Sequence, residues 1–97
     1  MNNQPKFELG QVVMTKTISE SISKSEKFSK DIYNSLSRYR NCDFSDMKYP
    51  EDIESNMSAI ENNDDRIFAT YNTCKGKIYI ITEYDRSVTI ILFPDEY

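Results

Sequence analysis

The sequence predicts an α+β fold: a small single domain in the order β-α-α-β-β-β, with a three-stranded antiparallel meander at the C-terminal end packed against two or three helices. Three observations point there. Residues 66–97, RIFATYNTCKGKIYIITEYDRSVTIILFPDEY, hold three short runs of β-forming residues separated by two tight polar breaks. Phe28, Ile32 and Leu36 recur at i, i+4 and i+8 in an otherwise polar stretch, which is the spacing of one helix face. At 97 residues the chain has room for one core, since so short a chain buries only about two-thirds of the surface it exposes when unfolded.

The elements follow in order. Residues 1–6 carry no pattern and are expected to form a disordered tail, so residues 7–97 make the domain. Residues 7–14 read as a strand, with Val12 and Val13 suited to a pleated surface and Gly10 marking a bend. That strand is free to join the meander's sheet. Thr17-Ile18-Ser19-Glu20 matches a capping box, so a helix is expected to start there. Ser25 either caps a second segment or sits within the helix. Ser19, Ser21, Ser23, Ser25 and Ser29 lower the local helix propensity, which leaves the Phe28–Ile32–Leu36 stripe, with Tyr39 close by, to hold the helix through packing.

Residues 41–49 form a polar connection. Pro50 suits the first position of a new helix, and Glu51 and Asp52 follow where the helix dipole favours negative charge. Ile53, Met57 and Ile60 are its expected buried stripe, and Asn62 and Asn63 can end it in a left-handed conformation. Strands are expected at residues 66–72, 77–83 and 88–93. Gly76 supplies a positive φ at the first turn, and Tyr84-Asp85-Arg86 makes the second. The near-continuous runs Ile78-Tyr79-Ile80-Ile81 and Thr89-Ile90-Ile91-Leu92 predict that both sheet faces are partly covered, one by helices and the other by a partner or the N-terminal strand.

Composition excludes several classes. No run approaches the roughly 20 apolar residues of a membrane span. The first ten residues have one lysine and no apolar stretch, so they do not read as a secretory signal, and a cytoplasmic location is expected. Cys42 and Cys74 lie in no metal or redox spacing and read as reduced thiols. The chain has no histidine, no nucleophile elbow and no phosphate loop, which argues against an enzyme. No cofactor is implied.

The net charge of −4 is unevenly spread. Residues 15–40 hold six basic side chains against three acidic ones; residues 41–65 hold eight acidic side chains against Lys48 alone. Those eight, Asp43, Asp46, Glu51, Asp52, Glu54, Glu61, Asp64 and Asp65, are the expected partner-binding residues, because such a segment repels phosphate and attracts a basic protein surface. The alternative for them is a solvated acidic helix. Glu83, Tyr84, Asp85 and Arg86 cluster at one hairpin end and make a secondary surface; their alternative is a tight turn with an ion pair between Asp85 and Arg86. Asp43, Asp46, Glu83 and Asp85, if convergent, could hold Mg²⁺ or Ca²⁺ in a metal-dependent enzyme or subunit acting on nucleic acid. The basic helix residues Lys16, Lys24, Lys27, Lys30, Arg38 and Arg40 are diluted by Glu20, Glu26 and Asp31, so direct nucleic-acid binding is not expected. Seven tyrosines cannot all be buried in so small a domain, and exposed Tyr marks protein interfaces.

Several motifs carry a family likeness. These are Phe7-Glu8-Leu9-Gly10 with Val12-Val13, then Cys42-Asp43-Phe44-Ser45-Asp46, then Arg66-Ile67-Phe68, and above all Gly76-Lys77-Ile78-Tyr79-Ile80-Ile81-Thr82-Glu83, Asp85-Arg86-Ser87, Thr89, Leu92 and Pro94-Asp95-Glu96-Tyr97. With them the chain resembles a family of small bacterial proteins carried on phages, plasmids and integrative elements, whose members read like G-D-W-G-D in the middle and I-T-E-A-D-R-S-x-T-T-x-L-x-P-E-E-Y at the end. Cys42 and Phe44 stand where the family has Gly and Trp, and Tyr39 or Arg40 where it often has His. The resemblance implies a mobile element in a bacterial host. By analogy with small acidic proteins from that setting, it implies an inhibitor of a host defence nuclease, such as an anti-CRISPR protein acting as a DNA mimic. The chain is thus expected to be a non-enzymatic module with a protein partner, monomeric or homodimeric, without membrane or direct nucleic-acid contact; a structural homodimer is the other alternative.

Overall fold

The computed structural model describes residues 6–97; the expected tail lies outside them except for Lys6, whose amide donates to the Arg40 carbonyl at 2.8 Å. The element order is β1 (Gln11–Met14), α1 (Lys16–Lys24), α2 (Glu26–Arg40), α3 (Pro50–Asn62), β2 (Ile67–Thr73), β3 (Gly76–Thr82), β4 (Val88–Leu92) and a 3₁₀ turn at Pro94–Glu96. This is the expected α+β arrangement. The four strands lie in the order β1-β4-β3-β2. β2, β3 and β4 form the antiparallel meander. β1 joins it at the far edge, parallel to β4, with Val13 opposite Ile90.

β1 is shorter than expected because Gly10 breaks it. Gly10 has φ +64°, and a β-carbon there would overlap the carbonyl oxygens of Arg86 and Ser87. The chain can pass this close to the β4 turn only without a side chain. Phe7, before the break, is buried and packs edge-on against Tyr39 at 5.3 Å.

The first helix starts two residues earlier than the Thr17 capping box implies. Thr15 is the N-cap: its hydroxyl accepts from the Ile18 amide at 3.3 Å and donates to Glu96 Oε1 at 2.9 Å. Ser25 separates two helices, and its hydroxyl accepts the Phe28 amide at 3.1 Å. The stripe then buries Phe28, Ile32, Ser35 and Tyr39, with Leu36 half-buried.

α3 starts at Pro50 and ends at Asn63, which takes the left-handed φ of 54°. Its buried stripe is rotated from the expected one. Asn56 and Ala59 are buried, Ile53 and Ile60 are half-buried, and Met57 is 44% exposed. The reason lies in Asn56. Its amide nitrogen donates to the Phe68 carbonyl at 2.8 Å, and its oxygen accepts the Phe68 amide at 3.1 Å. Phe68 faces away from β3 in the ladder, so one side chain satisfies both outward backbone groups of an edge-strand residue. Asp46 takes the Asn72 amide of the same edge at 3.2 Å. An edge plugged this way offers little template for another strand.

The core sits between the helices and one sheet face. Ile18, Phe28, Ile32, Tyr39 and Phe44 meet Ile67, Ala69, Tyr71, Ile78, Ile80 and Ile91 there. Tyr39 is its centre, with edge-on partners in Phe7, Phe44 and Tyr71. No described helix is long and apolar enough to cross a membrane.

Candidate functional site

The expected acidic surface divides into two parts with different fates. Asp43 and Asp46 are not free. α2 carries Arg38 to its last turn, and the polar connection folds back over it. Arg38 Nε donates to Asp43 Oδ2 at 2.8 Å, Nη1 and Nη2 donate to Asp46 at 3.2 and 3.1 Å, and Nη2 also donates to Ser45 Oγ at 3.0 Å. The guanidinium carbon lies 5.1 Å from the centre of the Tyr71 ring. These bonds hold the Asp43 and Asp46 carboxyls below the usual carboxylate range and push the guanidinium further up. Two of the eight expected binding residues therefore fasten the 41–49 connection to α2 and β2. Arg38 likewise leaves the set of basic residues that could meet nucleic acid. Its spacing from Asp43 and Asp46, just past a helix end, was the available signal for this clamp.

The remaining six carboxylates are exposed, and four of them, Glu51, Glu54, Asp64 and Asp65, share one surface, while Asp52 faces the neighbouring depression beside Phe68 and Tyr97. Between Glu51 and Asp65 there are six acidic residues and no Lys or Arg. Glu51, Asp52, Glu54, Glu61, Asp64 and Asp65 are all exposed. Glu51 and Asp52 lie in the first turn of α3, where the dipole stabilises them. Asn63 then turns the chain so that Asp64 and Asp65 come back beside the helix. Glu51, Glu54, Ser55, Ser58, Asp64 and Asp65 line one shallow open depression.

The hairpin end fixes that depression. Arg86 was expected on a secondary surface with Glu83, Tyr84 and Asp85, but it is only 9% exposed. Its guanidinium donates to four carbonyls: Ala59 at 2.8 Å, Asp65, and, in its own turn, Glu83 and Tyr84, both at 3.2 Å. Among the described residues no carboxylate pairs with it, so the expected ion pair with Asp85 is absent. Asp85 instead accepts the Ser87 amide at 3.0 Å and hydroxyl at 2.6 Å, which stiffens the turn and lowers its pKa. A cation on the last carbonyls of α3 is favoured by the dipole. Arg86 thus ties the end of α3 and the 64–65 loop to the β3–β4 turn. Tyr84 remains exposed and Glu83 half-exposed.

The proposed metal set does not converge. Asp46 binds the Asn72 end of β2, whereas Glu83 and Asp85 lie beyond the Ile67 end. Five ladder steps separate those ends, roughly 17 Å at the rise of an antiparallel strand. Among the described residues no three His, Cys, Asp or Glu side chains group as a metal ion would require. Cys42 and Cys74 are free thiols, the former half-buried and the latter exposed.

Four of the seven tyrosines, Tyr33, Tyr49, Tyr84 and Tyr97, are exposed, while Tyr39 and Tyr71 are fully buried. Asn56 was missed by sequence reading. Its only signal was a polar residue within an otherwise apolar helical spacing.

No family model, curated protein or solved structure matches this chain. The reading of the site accordingly rests on its residues.

Proposed function

We propose that this chain is a non-enzymatic protein-binding module whose acidic α3 surface docks on a basic surface of another protein. The observation that carries it is the run from Glu51 to Asp65: six exposed carboxylates with no intervening cation, four of which, Glu51, Glu54, Asp64 and Asp65, line one depression held in shape by Arg86. Carboxylates on a rigid helix and an anchored turn present fixed negative charge, as a nucleic-acid backbone does. A groove of Lys and Arg built to hold phosphate is the complementary surface. This is the geometry by which an inhibitor of a defence nuclease, such as a CRISPR effector, would cover its nucleic-acid path.

The mobile-element setting belongs to the same proposal. It gains support from Cys42, whose φ of 62° is the left-handed conformation natural to the glycine that the resembled family has there. Buried Phe44 likewise stands where that family has Trp.

The test is binding to purified CRISPR effectors and other defence nucleases, with and without bound nucleic acid. The expected partner binds at low salt, weakens steeply as salt rises, and loses this chain when nucleic acid occupies its groove. Charge reversal at Glu51, Glu54 and Asp64 together abolishes the complex. Binding that ignores both salt and that triple reversal would overturn the assignment.

A further inference from the structure

The helices cover only one face of the sheet. Strand alternation puts Val13, Phe68, Tyr79, Ile81, Ile90 and Leu92 on the other. Ile81 and Leu92 are 4% and 5% exposed yet stand outside the helix-side core, because their own neighbours on this face shield them. The C-terminal segment covers part of this face's margin: the Pro94–Glu96 turn contacts β3 beside Lys77, and the Tyr97 ring lies 6.1 Å from Phe68 and 6.0 Å from Tyr79 and is itself 69% exposed. Both Ile/Leu-rich strands therefore carry apolar side chains on a face that no helix covers, with Val13, Phe68, Tyr79 and Ile90 half-exposed on it.

We propose that a second copy of this chain packs on this face, about a two-fold axis that crosses β3 and sets Lys77 of each copy against Glu83 of the other. Charge identifies the occupant. Lys77 and Glu83 lie on this face at opposite ends of the same strand, and Glu83 continues the ladder through its amide bond to Val88 at 3.0 Å. Among the described residues neither has an ion-pair partner. Arg66, the neighbour of Glu83 across the sheet, is turned onto the Tyr97 ring at 5.6 Å and bonds its hydroxyl. A uniformly basic or acidic partner would match one end and repel the other. A two-fold copy matches both, with Tyr79 laid over Ile81 of the second chain.

Size sets the strength. Four strands at about 4.8 Å and six residue steps at about 3.4 Å give a face of at most roughly 390 Å² in projection. A standard interface takes about 800 Å² from each partner, so this one needs its rim and forms in a concentration-dependent way. Strand addition at the β2 edge is not the route, since Asn56 and Asp46 plug it. Asp52 and Ser55 of α3 border this face beside Phe68 and Tyr97, but Glu51, Glu54 and Asp64 line a separate depression, so this inference and the acidic α3 reading can fail independently.

Sedimentation velocity from about 10 to about 500 µM, the range where an interface below standard size is populated, tests it. The wild-type chain is expected to pass from 11.4 kDa to twice that mass. Lys77→Glu, at an exposed site, is expected to weaken the dimer by about ten-fold or more, because two attractions per dimer become repulsions. The double variant Lys77→Glu with Glu83→Lys restores it. A chain that stays single throughout the range overturns the proposal. So does a dimer that Lys77→Glu leaves unchanged, or one that the double swap does not rescue.

Discussion

The hydroxyl of Tyr39 lies 2.7 Å from Oγ1 of Thr82, at the centre of the core. Thr82 Oγ1 is in turn 2.7 Å from Thr89 Oγ1, and Thr89 donates to the Leu9 carbonyl at 2.6 Å. With the last step fixed, Thr82 donates to Thr89 and accepts from Tyr39, whose hydroxyl is shared with the Ile67 carbonyl at 3.3 Å. The chain crosses from α2 through β3 and β4 to the segment before β1. Thr82→Val keeps the shape and cuts it in the middle. The expected loss is about 1–2 kcal/mol in urea unfolding, since Tyr39 keeps only its 3.3 Å bond to the Ile67 carbonyl and Thr89 loses its incoming donor. Tyr39→Phe with Thr82→Val costs less than the sum of the two, because both remove the same hydrogen bond.

Arg86 makes a second prediction. Arg86→Met keeps much of the side-chain volume and strips four carbonyls of a charged donor. A loss of about 2–4 kcal/mol is expected, on the scale of bonds to a charged group. Arg86→Lys should recover little, since one ammonium cannot span carbonyls that the planar fork reaches. Amide exchange at the end of α3 should rise in step with the stability loss; protection there unchanged at full destabilisation would refute the tie between the two elements.

The glycines give a paired contrast. Gly10→Ala meets both a positive φ and two backbone oxygens that cannot yield, whereas Gly76→Ala meets a positive φ with nothing within 4 Å. Gly76→Ala is expected to cost about 1–2 kcal/mol, the left-handed penalty alone. Gly10→Ala costs more and acts locally, releasing β1 from β4. Hydrogen exchange at Gln11, Val13 and Thr15 reads this directly, and equal effects for the two variants would contradict it.

Acid and base limbs follow from opposite shifts. Asp43 and Asp46 sit below their ordinary pKa because Arg38 bonds their charged forms. Their stabilisation is complete above the unfolded value of about 3.9 and is lost as pH falls through the folded values. Tyr39 and Tyr71 are raised above the ordinary value of 10.0 by burial. The folded protein keeps them neutral, so stability is full below about 10 and declines above it. Thermal melts across pH should show a plateau between those limits. Asp43→Asn should flatten the acid limb and leave the alkaline limb in place.

The parts of this fold that were legible in the sequence are those where one local rule decides. Val88–Leu92, Gly76 and the Phe28–Tyr39 stripe follow from strand alternation, turn chemistry and helical period. What escaped was decided by partners far along the chain. Thr15 rather than Thr17 caps α1 because Glu96, from the other end, fixes its hydroxyl. Met57 gave up its place in the core because Asn56 finds a backbone partner on β2. The acidic surface was visible as composition, but its division was not. Charge counts treat Asp43 and Glu51 alike, and only the fold brings Arg38 to one of them. Arg86 looked like a turn residue with an ionic neighbour, and its four carbonyl partners come from segments that no local spacing connects.

The pairing of β1 with β4 has a kinetic side. Gln11 meets Val88, and Leu9 meets Thr89, across nearly the whole chain. Closing loops of that length before any contact rewards them is slow, and sheets built on distant pairs fold later than helices built on near ones. α1 and α2 have turns and caps of their own and can form early. The N-terminal strand has no partner until the last strand exists. During synthesis it leaves the ribosome long before β4, so its assembly awaits β4, and a chain stalled before Val88 would carry Val12, Val13 and Met14 unpaired.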